Sequence, residues 1–153
     1  IYKNRDDINA VAHAHPMYGK TFSTLGKTLD PITQDSCAFY ERTAIFADYD
    51  GVANGPQEGI NISKALADKD FLILQNHGIL TTGSMIDTTI WYFLNMEDAC
   101  KSQLIAESVG KPIKIPHDVA CNTRDYVAND LSAFVSLQPL LDLLWEEEKD
   151  FLD

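Results

Sequence analysis

Four histidines occur in the chain, and three of them stand where their spacing gives them a common use. His13 and His15 are one residue apart in Ile8-Asn9-Ala10-Val11-Ala12-His13-Ala14-His15, an apolar-rich run bounded by Asp6-Asp7 and Pro16. Such a run reads as a strand, and strand alternation sends both imidazoles to one face. A catalytic zinc site takes imidazole nitrogens at about 2.0–2.1 Å and keeps one position open, so an adjacent pair supplies two corners of its tetrahedron. His77 lies in Asn76-His77-Gly78 at a predicted strand end, where glycine permits a sharp turn and a close backbone approach. From there it can face the first pair across a sheet. Singly, these residues have plainer readings. An i, i+2 pair is otherwise a hydrogen-bonded, partly buried couple. An Asn-His-Gly turn exploits the tolerance of Asn and Gly for positive φ. His117, beside Pro116, reads as a surface residue.

The elements that must position these groups follow from local pattern. The run 8–15 is a strand, 17–25 a short helix closed by Gly26, and 28–34 a loop around Asp30-Pro31. A second strand is predicted at 44–49, a Gly/Pro-containing loop at 50–59 and a short helix at 60–69. Phe71-Leu72-Ile73-Leu74-Gln75 is the clearest strand, turning at Asn76-His77-Gly78 into Ile79-Leu80-Thr81-Thr82. A long helix starts at Ser84-Met85-Ile86-Asp87 and runs to Gly110, with Ile86, Ile90, Phe93, Leu94, Glu97, Cys100, Lys101 and Leu104 at helical spacing. A connector reaches Pro116, and two further helices are expected at 122–135 and 139–151. Strands alternating with helices point to an α/β or α+β layered domain rather than a bundle or sandwich.

Composition bounds the function. At 45% hydrophobic and 23% charged residues the chain folds as one globular domain, spanning 1–153. A net charge of −11 repels phosphate backbones and anionic headgroups, so neither nucleic acid nor membrane is an expected partner. No run approaches the roughly 18 apolar residues of a spanning helix. Cys37, Cys100 and Cys121 fit neither a disulfide framework nor a CxxC knuckle and read as reduced thiols of a cytoplasmic protein. The chain opens on Ile1-Tyr2-Lys3 without methionine, which suggests further sequence upstream. No GxGxxG or Walker pattern is present.

The order of the His-Ala-His-Pro strand end, the Leu-Gln-Asn-His-Gly-Ile-Leu segment (74–80) and Met96-Glu97 in the following helix resembles the class II aldolase/adducin family. The resemblance covers residues 1–110; the helical tail, 111–153, carries no motif of it. It implies α/β/α layers around a central, largely antiparallel sheet, often assembled as tetramers with metal sites near subunit interfaces. It also implies Zn2+, or another divalent metal such as manganese or cobalt, held by His13, His15 and His77. Aldolases of this family cleave a carbon–carbon bond in a small sugar phosphate through a metal-stabilised enediolate, and epimerases use the same step and re-add the aldehyde. Three neutral ligands leave the ion its full polarising charge. The acidic general base and the phosphate-holding loops of the family would precede Ile1. A second acid, which protonates the leaving carbon in some members, has Asp35 as its nearest candidate by position. Glu97 matches a glutamate common in the family and takes a structural role, toward a turn or toward Lys101.

The resulting expectation is a zinc-dependent lyase acting on a small hydroxy-carbonyl substrate. Its alternatives are an epimerase or dehydratase using the same metal, and a non-catalytic adducin-like module for self-association or scaffolding, which would be expected to lose the three histidines. Trp91, Tyr92 and Phe93 read as core and interface, and Leu140, Leu141, Leu143, Leu144 and Trp145 exceed what one small layer can bury. A homo-oligomer, tetramer or dimer, is therefore expected. Tyr40, Glu41 and Arg42 form a polar cluster that reads either as reaching a neighbouring subunit's site or as an exposed helix end.

Overall fold

Phe71-Leu72-Ile73-Leu74 is apolar at every position, which suits only a strand covered on both faces, and all four residues are buried. This strand, β3, lies inside a four-stranded sheet. In the computed structural model, which describes residues 1–48 and 55–148, the chain forms β1 (Ala10–Ala14), α1 (Met17–Ser23), a 3-10 turn (Asp35–Phe39), β2 (Thr43–Phe46), α2 (Pro56–Leu66), β3 (Phe71–Leu74), β4 (Gly78–Gly83), α3 (Ile86–Val109), α4 (His117–Val127) and α5 (Asp130–Glu147). The sheet order is β1-β4-β3-β2. β4 is antiparallel to both β1 and β3, while β2 runs parallel to β3.

Strand alternation divides the core. Phe71, Ile73 and Ile79 point to one face and join Phe22 of α1 and Tyr92, Met96 and Cys100 of α3. Leu72, Leu74 and Leu80 point to the other face and join Phe46 and Leu66, the latter from α2. Helices therefore cover both faces, the expected α/β/α layering. Each fully buried Phe, Leu, Ile or Met contributes roughly 1.5–3 kcal/mol of burial. None of the helices among the described residues is long and apolar enough to cross a membrane.

Several boundaries differ from the sequence expectation. β1 and β2 are shorter than predicted, and Tyr49 and residues 50–54 of the expected strand and loop lie outside the described residues. α2 starts at Pro56 rather than Ile60, because proline is pre-organised for a first helical turn whose missing N–H costs nothing. The 3-10 turn at 35–39 was not anticipated. It is pinned by Ser36, whose hydroxyl accepts from the backbone N–H groups of Ile32 and Thr33.

The expected tail helices, 122–135 and 139–151, are instead α4 and α5 with their junction at Ala128-Asn129. Asn129 decides this by capping α5, its side-chain oxygen accepting from Ser132 N–H at 3.0 Å. Pro139 then sits inside α5 rather than at its start. The carbonyl it leaves without a helical donor belongs to Val135, an exposed residue on the outer side of the helix. Residues 149–151 of the expected last helix lie outside the described residues.

Candidate metal centre

The site is built where β1 ends against the hairpin of β3 and β4. Antiparallel pairing sets His13 opposite Leu80 and Ala14 opposite Ile79. The β3–β4 turn closes with Leu74 opposite Gly78, and His77 N–H donates to the Leu74 carbonyl at 3.0 Å. Asn76 takes the left-handed conformation, φ 59°, that the tight turn demands. Gly78 is needed for space instead: a Cβ there would lie 2.5 Å from the Ala14 carbonyl oxygen and 3.1 Å from Cδ2 of His15. The absence of a side chain lets β1 and the hairpin close until the three rings meet.

They do meet. Ring centroids are 5.1 Å apart for His13 and His15, 5.0 Å for His13 and His77, and 4.4 Å for His15 and His77. One nitrogen from each ring lies within 4.8 Å of the others. Nδ1 of His13 is 2.9 Å from the Ile79 carbonyl oxygen, which can only accept. Nδ1 is therefore the donor, which leaves Nε2 as the nitrogen that the neutral ring offers to a metal. Burial, reinforced by His13 and His15, presses His77 below the usual histidine range and favours its neutral form. His13 and His15 are exposed and His77 is half-buried, so the cluster opens to solvent. Among the described residues, neither carboxylate nor thiolate belongs to the set. Three converging imidazoles that open to solvent fit a borderline divalent cation such as zinc.

Glu97 on α3 supports this corner from behind. Its carboxylate accepts from the N–H of Tyr18, at 2.8 Å, and from that of Gly19, both in the first turn of α1. This is the structural role expected, with α1 as its partner. Lys101 instead lies over the Tyr18 ring. Gly19 is a second required gap, since a Cβ there would come within 3.0 Å of Ile79 Cδ1 and 3.1 Å of Glu97 Oε2. Because α1 begins directly after His15-Pro16, these contacts fix where the histidine strand ends. Only the fold shows the role of Gly19, which nothing local in the sequence signals.

Asp35 opens the exposed face of the 3-10 turn, in a groove it shares with Trp91, Tyr126 and Ser136. It is not part of the histidine cluster, and its assignment as an acid rests on the resemblance. The polar triplet divides. Arg42 turns inward, its Nε donating to Asp70 at 2.7 Å with the guanidinium 5.0 Å from the Phe71 ring centroid. Tyr40 and Glu41 face outward and meet His117. Trp91 and Phe93 pack half-buried on the core and Tyr92 is buried in it.

A family profile described as Class II Aldolase and Adducin N-terminal domain matches residues 1–104. Among characterised sequences, the chain is 37% identical over 140 residues to a protein named decarboxylase NovR from Streptomyces niveus, covering 92% of this chain and 52% of that protein. It is 36% identical over 140 residues to 4-hydroxy-3-prenylphenylpyruvate oxygenase/4-hydroxy-3-prenylbenzoate synthase from Streptomyces roseochromogenus subsp. oscitans, covering 92% and 50%. Its fold superimposes on L-fuculose 1-phosphate aldolase from Glaciozyma antarctica PI12 with a TM-score of 0.87 at 35% identity, covering 98% of this chain and 57% of that one. The chain thus spans about half the length of the curated relatives it matches.

Proposed function

Since the chain belongs to the class II aldolase and adducin family, we propose that His13, His15 and His77 hold a divalent metal, zinc foremost, in a lyase centre that makes or breaks a carbon–carbon bond in a small hydroxy-carbonyl substrate of sugar or sugar-phosphate type. The observation that carries this reading is the convergence of three accessible imidazoles, one with its tautomer set by the Ile79 carbonyl. A divalent ion bound there supplies Lewis acidity toward substrate oxygens. The protein's own residues orient the rings: the Ile79 carbonyl accepts from Nδ1 of His13, Gly78 allows the approach of His15, and burial favours the neutral form of His77. Proton transfer falls to a carboxylate outside the cluster, with Asp35 as the proposed donor to the leaving carbon.

We read 1–153 as one domain, with a family core at 1–110 and a helical tail at 111–153, and assign it a homo-oligomeric state, tetramer or dimer. The tail supplies the surface for this, since Leu131, Val135, Leu140, Leu143 and Trp145 are at least half exposed or nearly so.

Metal analysis of protein purified without chelator tests the centre. Near-stoichiometric divalent metal is expected, with loss in His15→Ala; a chain that binds no such ion, or keeps it in His15→Ala, overturns the assignment. The names decarboxylase and oxygenase among the similar proteins favour a second reading, carbon–carbon cleavage with release of carbon dioxide at the same residues. Product analysis on the whole protein separates the two: an aldehyde supports the first and carbon dioxide the second.

A further inference from the structure

The only cysteine of the chain that is not buried, Cys121, lies among other donors. On α4 it follows His117 by four residues, one helical turn, so both side chains project from the same face. The face packs against the segment after the 3-10 turn, which delivers Glu41. Cys121 Sγ is 3.8 Å from Glu41 Oε2 and 3.9 Å from His117 Nδ1, and His117 Nδ1 is 3.7 Å from Glu41 Oε1. With metal–nitrogen and metal–oxygen bonds of about 2.0–2.1 Å and a metal–sulfur bond of about 2.3 Å, tetrahedral coordination puts such donors roughly 3.4–3.6 Å apart. The sulfur–nitrogen pair, and the carboxylate oxygen nearest to each of them, are therefore within a few tenths of an ångström of these separations; His117 faces Oε1 and Cys121 faces Oε2, so coordination through one oxygen also requires the carboxylate to turn. Glu41 adopts φ 60°, a left-handed conformation unusual for a residue with a side chain, and it is this backbone that turns the carboxylate toward α4.

We propose that Glu41, His117 and Cys121 form a second metal site, for a thiophilic divalent cation such as zinc, sharing no residue with the histidine centre. Thiolate, imidazole and carboxylate are three first-choice zinc donors, and the exposure of Glu41 and His117 leaves a fourth position to water. Binding replaces the contact between His117 Nδ1 and the Tyr40 hydroxyl, now 3.2 Å, and releases the thiol proton to solvent. Arg124, with Nη1 3.5 Å from Glu41 Oε2, remains on the flank of the carboxylate.

Cobalt(II) distinguishes the two sites because only this one contains sulfur. Titration of the full chain, thiols reduced, is expected to produce thiolate-to-cobalt charge-transfer absorption. The band should vanish in Cys121→Ser, persist in His13→Ala, and require more cobalt in Glu41→Gln, which replaces an anionic ligand by a neutral one. Zinc should also protect Cys121 of the unmodified chain from a thiol reagent, a readout that needs no variant to fold. Absence of the band in the unmodified chain, its persistence in Cys121→Ser, or undiminished thiol reactivity under saturating zinc overturns the proposal. Loss of metal at the histidines alone would leave it standing.

Discussion

The histidine corner and the C-terminal tail are built under opposite constraints. At the corner, every ring is located by backbone: β1–β4 register places His13, the Leu74 hydrogen bond places His77, and the bare Cα of Gly78 admits His15. In α5, 18 residues long, only Ala133 and Leu137 are buried, and its other five leucines look outward. A site that must present lone pairs to within a few tenths of an ångström needs such redundancy. An apolar surface needs only to be available, and its position is set by whatever covers it. The contrast separates geometry that this chain completes alone from surface that a second chain would complete.

The largest expected effect tests the corner. Gly78→Val places carbon 2.5 Å from a backbone carbonyl that cannot turn aside. Relief requires prising β1 from β4, which should cost more than about 4 kcal/mol and abolish metal retention. Chemical denaturation with parallel metal analysis measures both, and wild-type stability in this variant would show that the close approach is not needed.

A smaller loss is expected from Glu97→Ala, which strips two N–H groups of their charged acceptor at the start of α1. A cost of about 2–3 kcal/mol follows, with weaker metal binding because α1 anchors the end of the histidine strand. Glu97→Gln, which keeps one acceptor oxygen, should lose less. Equal stability of the alanine variant and the parent would reduce Glu97 to a bystander.

The tail should show the smallest intramolecular effect. Leu140→Glu combined with Leu144→Glu alters residues 49% and 40% exposed, so unfolding of the dilute protein should shift by no more than about 0.5 kcal/mol. Association should nevertheless fall, as light scattering over a dilution series would detect. A large loss of stability at concentrations where the protein is monomeric would mean that these leucines pack internally after all.

Much of the layered fold was legible because its signals are local. The continuous apolar run of β3 announced the clearest strand, the spacing of His13 and His15 put them on one side, and the helical repeat after Ser84 located α3 to within two residues. The tail was misdivided because Pro139 is a strong local breaker, yet an exposed carbonyl and the Asn129 cap outweigh it. What the sequence by itself determined was which residues share a face and which element each belongs to, since both depend on neighbours a few positions away. Only the tertiary structure decided that His77 meets a pair more than 60 residues earlier, that Glu97 serves α1 rather than Lys101, that Arg42 turns inward to Asp70, and that Glu41 reaches His117 and Cys121. Those contacts depend on strand register and on the docking of helices across the sheet, and periodicity along the chain is blind to both.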